Sequence, residues 1–219
     1  MVLKRVFIIS VFFFAWMATA QKNIYESSRF DELSEDHQVL AIVPFLTKLE
    51  LEQKKSKEDE KTLAEREGYA VQDALETYFS KRRKRKKFNV EFQNIENTNA
   101  ILAQNDITYE NIDIYTVKQL SEILGVDGII SGSLDLNILL SKGVPTDFSI
   151  LDYFGGDSNY GRIGLKISDG ETGKLLWKYE KAITKKTGKN TAELIDRMMK
   201  LAAKKFPYDK EKKRKKRKS

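Results

Sequence analysis

Thr116–Leu140, TVKQLSEILGVDGIISGSLDLNILL, is the stretch whose reading decides the fold. Its first third has helical spacing. Leu120, Ile123 and Leu124 share one face, and Thr116 with Gln119 supplies the residue pair of a capping box. Gly125 stands where a helix end needs a residue that accepts positive φ. Beyond it the period changes to two. Ile130, Gly132, Leu134, Leu136, Ile138 and Leu140 take one face, while Ser131, Ser133, Asp135 and Asn137 take the other. This predicts a helix followed by a long central strand. Gly128 and Gly132 bring no side chain to it, which suits close approach of a neighbouring backbone or helix.

Working outward, His37–Phe45 (HQVLAIVPF) is a continuous apolar run, the pattern of a strand covered on both faces, with Pro44 marking its end. The charged stretch after it reads as an exposed loop or a frayed helix start. From about Thr62 to Phe79 the spacing of Val71, Ala74, Leu75, Tyr78 and Phe79 predicts an amphipathic helix. Phe88–Phe92 alternates as a short strand, and Asn94–Asn105 holds a small helix around Ile101 and Leu102. Gly161–Ser168 and Leu175–Ile183 flank the turn Asp169–Lys174, with Gly173 inside it and Trp177 on the second strand, which together predict a hairpin. Asn190 and Glu193 open a last helix, with Leu194, Ile195, Met198, Leu201, Ala202 and Phe206 facing inward. The order is β-α-β-α-α-β-(insert)-β-β-α, a single α/β domain with a mixed sheet covered by helices. It spans 37–208, with residues 141–160 as an inserted hairpin or flap and 21–36 as a flexible leader.

Residues 1–20 read as a signal peptide: Lys4 and Arg5, an apolar run from Val6 to Met17, then Ala18-Thr19-Ala20 before Gln21. The run falls short of the ~20 residues that a membrane-crossing helix needs. The chain has no cysteine, which excludes disulfides, thiolate metal sites and a cysteine nucleophile. The net charge of +7 is unevenly distributed. Lys81, Arg82, Arg83, Lys84, Arg85, Lys86 and Lys87 form one basic run. The end of the chain, with Lys212, Lys213, Arg214, Lys215, Lys216, Arg217 and Lys218, forms another inside a basic tail over 209–219 that should be disordered. Apart from these runs and the signal peptide the chain is acidic. The basic segments are therefore candidate contacts for an anionic membrane or cell-wall surface, with solvated ends as the plain alternative. Nucleic acid would bind the same charges, but an exported chain has little occasion to meet it and it is set aside as a partner.

Catalytic chemistry finds little here. His37 is the single histidine and is expected at the surface or at a strand edge, and no base, nucleophile or metal set gathers around it in sequence. Gly170–Lys174 has the spacing GxxGK rather than that of a phosphate-binding loop, and it joins two strands. Asp147, Asp152 and Asp157 in the insert match no calcium-loop spacing. No cofactor and no enzyme activity are expected.

Several of these signals also occur together elsewhere. Val43-Pro44-Phe45, Ile101-Leu102-Ala103-Gln104, Leu124-Gly125-Val126-Asp127-Gly128, Gly132, and Asp169 with Thr172-Gly173 and Trp177 resemble a superfamily of bacterial envelope domains. It takes in the curli-secretion lipoproteins, the lipoprotein activators of penicillin-binding proteins, and the N-terminal domain of the Tol-system propeller protein. The resemblance implies a non-catalytic periplasmic module that binds other envelope proteins. The alternative it carries is a subunit of an oligomeric outer-membrane secretion or assembly complex. The chain departs from the lipoprotein members in having Gln21 in place of an acylated cysteine, and its 141–160 insert is short for a barrel-forming hairpin of two ~10-residue strands.

Overall fold

A computed structural model of the chain describes residues 24–51, 56–83, 88–142, 159–184, 189–202 and 206–208. Residues 1–20, read above as a signal peptide, Lys84–Lys87, most of the insert (including Asp147, Asp152 and Asp157) and the tail with Lys212–Lys218 lie outside the described residues.

The central stretch folds as its periodicity dictates. Helix α4 (Val117–Leu124) is closed at its start by a capping box: the Thr116 hydroxyl accepts from Gln119 N–H, and the Gln119 side chain accepts from Thr116 N–H. Gly125 ends it at φ 64°. The chain then enters β5 (Gly128–Leu136), the middle of a seven-stranded mixed sheet. Antiparallel to β5 lies β6 (Asn159–Asp169), then β7 (Leu175–Thr184), then β1 (Ile24–Glu26) at the edge. On its other side β5 pairs in parallel with two short strands placed end to end, β2 (Val39–Ile42) and β3 (Leu46–Leu49). β4 (Glu91–Phe92) pairs outside β2.

The break between β2 and β3 has a local cause. Val43 still donates to the Ile130 carbonyl at 3.0 Å, but Pro44 has no N–H to offer, and Phe45 N–H turns away to the Gly68 carbonyl. Phe45 drops into the core, fully buried. Pro44 thus interrupts the strand instead of ending it, which corrects the sequence expectation of a loop after Phe45.

One face of the sheet carries most of the core. Ile130, Leu134, Leu136, Ile163, Leu165, Ile167, Trp177 and Ile183 meet α2 (Lys57–Arg83) and α5 (Thr191–Ala202). All five residues of the expected α2 stripe, Val71 to Phe79, are buried there. The other face is covered only near β2 and the start of β5, where Ala41, Val43 and Ile129 pack on α3 (Ile95–Gln104) and α4. Ser133, Asp135, Arg162 and Lys166 occupy its uncovered part, as the alternation in β5 and β6 requires.

Three further expectations change. Residues 24–36, read as leader, supply strand β1 and helix α1 (Phe30–Leu33), because Ile24 and Glu26 pair with Tyr179 and Trp177 and Phe30 is buried against Tyr208. Helix α2 begins at Lys57, five residues before its expected start at about Thr62, with the Ser56 hydroxyl accepting from Asp59 N–H. In α5 Leu201 is 66% exposed, and Met199 takes the inward place assigned to it.

Candidate functional site

The strand ends converge on one side of the sheet. There the start of β2, the α4–β5 junction and the β6–β7 turn line a cleft of about 480 Å³. The turn is built on Asp169. Its backbone N–H donates to the Lys174 carbonyl at 2.9 Å, its carbonyl accepts from Gly173 at φ 70°, and one carboxylate oxygen accepts from both the N–H and the hydroxyl of Thr172. Asp127 performs a similar task for β2. One of its oxygens accepts from Gln38 and Val39 N–H at 2.8 Å each, while its carbonyl accepts from Gly170 at 2.8 Å. Two acidic side chains thus fix backbone that the sheet ladder leaves unpaired at its rim.

Between them sits His37, 8% exposed. Its Nε2 lies 3.0 Å from Asp169 Oδ1 and its Nδ1 lies 2.6 Å from the Tyr208 hydroxyl. With Asp169 ionised, Nε2 carries the proton and donates, and Nδ1 accepts from the phenol. Burial pushes the Asp169 carboxyl up, but the hydrogen bonds from Thr172 and His37 outweigh it and hold the group below the ordinary carboxylate range. Burial, reinforced by the nearby Asp169 and Asp127 charges, drives the Tyr208 phenol far up, so it stays a neutral donor.

His37 therefore is not the surface residue that its position in sequence suggests. Its partners are 132 and 171 positions away, and no local signal announces them. Asp169 was singled out for its turn, which is where it lies, but its second bond to His37 was invisible. Tyr208 was missed entirely; an aromatic at the end of an apolar helix stripe reads as plain core.

The arrangement has the residue types of a proton relay without the access. Tyr208 is 1% exposed and both imidazole nitrogens are engaged, so these three side chains present no free base to the cleft. What it does is join three distant parts of the chain. Toward solvent the cleft is acidic: Glu32, Asp36, Glu122 and Glu171 stand around it, with Lys118 as the one cation among the lining residues. Among the described residues no cluster of three metal-ligating side chains is present.

The other residues singled out from sequence scatter. Gly128 lies at the cleft side of β5, close to His37 and Leu40. Gly132 lies mid-strand under Phe45 and Trp177 deep in the core, both away from the cleft. Of the basic run, Lys81 is exposed, and Arg82 lays its guanidinium over the Tyr78 and Phe88 rings at 5.5 and 5.9 Å, so part of its charge serves packing. No described helix is long and apolar enough to cross a membrane.

No family model matches the chain, and no curated protein matches it. Among solved structures it is similar to lipoprotein GNA1162 from Neisseria meningitidis, at 14% identity and a TM-score of 0.46, over 76% of this chain and 98% of that one. It is also similar to the LpoB C-terminal domain from Escherichia coli (10% identity, TM-score 0.37, 70% and 93% of the two chains). A third is the PelC dodecamer from Paraburkholderia phytofirmans (7%, 0.30, 74% and 89%). Of the groups that the sequence resembles, these findings touch the LpoB-like one; the curli-secretion and Tol-system likenesses are not shown.

Proposed function

We propose that the chain is an exported, non-catalytic interaction module of the bacterial envelope. The observation that carries this reading is the engagement of His37. The one histidine and its acidic and phenolic neighbours are spent on holding chain segments together, and the concave surface beside them offers charge and shape. The apolar start and Ala18-Thr19-Ala20 support export, and the basic segments Lys81–Lys87 and Lys210–Lys218 support contact with an anionic lipid or cell-wall surface.

Cross-linking followed by affinity capture from the native envelope tests the module reading. The expected result is a saturable partner that competes away with unlabelled protein. Turnover in a hydrolase panel that is lost on His37→Gln in a folded protein would overturn it. Light scattering on the purified chain separates an adaptor from a ring-forming subunit: a stable assembly of many copies would favour the latter. Vesicle co-sedimentation over a salt series tests the surface contact, which should weaken as the Debye length shrinks.

A further inference from the structure

The acidic cleft and the basic C-terminal segment carry opposite charge, and three observations connect the two. The first is composition. Six carboxylates line the cleft against the ammonium of Lys118, and among the described residues neither Asp36 nor Glu171 has an ion-pair partner. The second is a buried polar atom. Ser121 is 4% exposed, lines the cleft, and its hydroxyl has no hydrogen-bond partner. A buried hydroxyl is seldom left so, because an unmade bond costs more than a made one returns. Its lone pairs suit an ammonium donor, which brings three N–H bonds and no acceptor.

The third is where the described chain stops. Tyr208 is hydrogen-bonded through its side chain to His37, and His37 lines the cleft. The residues that follow, DKEKKRKKRKS, hold eight cations between Lys210 and Lys218. Eleven residues reach at most ~35–40 Å, ample for a site whose wall touches the residue before them. Tethering so short a segment presents it at an effective concentration on the order of millimolar, so weak individual ion pairs suffice to fill the cleft.

We propose that the cleft bounded by Asp36, Ser121, Glu122 and Glu171 is the docking site for this chain's own basic tail. A lysine ammonium of the tail donates to the Ser121 hydroxyl, and its neighbours pair with the rim carboxylates. Docked, the tail is withheld from outside anions; an anionic surface must compete for it. The inference goes beyond the module reading and does not require a partner protein.

The test uses the full-length protein. A zero-length carbodiimide joins carboxylates to amines only where they touch. Tail lysines should cross-link to Asp36, Glu122 and Glu171, and not to the exposed Glu58 and Glu96 elsewhere on the surface. Mixing heavy- and normal-isotope protein before cross-linking should give products within one chain. Separately, Glu122→Gln/Glu171→Gln should raise the rate of tryptic release of the tail several-fold at low salt, with Glu58→Gln/Glu96→Gln as the unaffected control and the difference vanishing at high salt. Cross-links spread evenly over surface acids, products joining two copies, or equal tryptic release in all variants would each overturn the proposal. None of these outcomes bears on envelope capture or on turnover, so the module reading stands or falls separately.

Discussion

Gly132→Ala is the most direct probe of how β5 is packed. A Cβ at this position would collide with the Gly164 carbonyl oxygen of β6 and with the Phe45 ring, whose Cδ1 would lie 2.7 Å away. Ordinary carbon contacts settle at roughly 3.5–4.0 Å. Phe45 is fully buried, so its ring has no solvent to swing into, and the other obstacle is backbone. Either β6 shifts along a nine-residue pairing with β5 or the ring leaves its place. Overpacking of this kind costs about 1–3 kcal/mol. Gly164, one strand over, supplies the control. The nearest atoms to a Cβ there are Ser133 Oγ at 3.5 Å and Glu180 Cγ at 3.9 Å, which are ordinary contacts. Alanine at that site fits, and by narrowing the unfolded ensemble it should add about 0.4–1 kcal/mol. Differential scanning calorimetry reads both. At ~2–4 °C per kcal/mol for a chain of this size, Gly132→Ala should lower Tm by ~2–12 °C while Gly164→Ala leaves it level or raises it. An unchanged midpoint for Gly132→Ala, or equal losses at both positions, would refute the register and the placement of Phe45.

Other substitutions test the cleft and the caps. His37→Phe keeps the ring volume but orphans Asp169 Oδ1 and the Tyr208 hydroxyl, so urea unfolding should show a loss of about 2–6 kcal/mol; a loss below about 1 kcal/mol would mean that water replaces the imidazole at little cost. Because the Asp169 carboxyl titrates lower in the fold than in the unfolded chain, its contribution is fully present above the unfolded value of about 4 and drains away as pH falls below it. Asp169→Asn should therefore flatten the acid limb of a Tm–pH profile below about pH 4, and an unaltered slope would contradict the assignment. Thr116→Ala removes one half of the capping box and should cost about 1 kcal/mol. Gly125→Ala meets no atom within 4 Å, so its cost is conformational alone, about 1–2 kcal/mol for a side chain at φ 64°; a larger loss in calorimetry would point to packing that the present geometry lacks.

The parts of the fold legible in the sequence were those with enough repeats of a period. β5, with a residue alternation sustained over nine positions, and α2, with its five-residue apolar stripe, were read with their faces correct. β1 was not, since three residues hold no period and Ile24 is a strand only because Tyr179 lies opposite it. β3 does alternate, with Thr47 and Leu49 turned inward, but the proline before it and the charges after it conceal a four-residue strand. The cleft was least legible. Asp169 and Gly125 gave themselves away by turn and cap chemistry, which is local. His37 and Tyr208 act through partners more than 130 positions distant, and in sequence each looks like an ordinary residue of its segment.

The His37–Tyr208 bond also sets a clock. Closing a loop of 171 positions costs ~4–5 kcal/mol of chain entropy, more than one hydrogen bond returns. The bond forms only once the sheet has already brought its two sides together, so it belongs to the last step of folding. The β6–β7 hairpin, whose partners are close in sequence, can pair before Tyr208 is seated. Until then Asp169 and His37 lack their third member and the rim of the sheet stays hydrated. The cleft wall is thus completed late, by residues from opposite ends of the described chain.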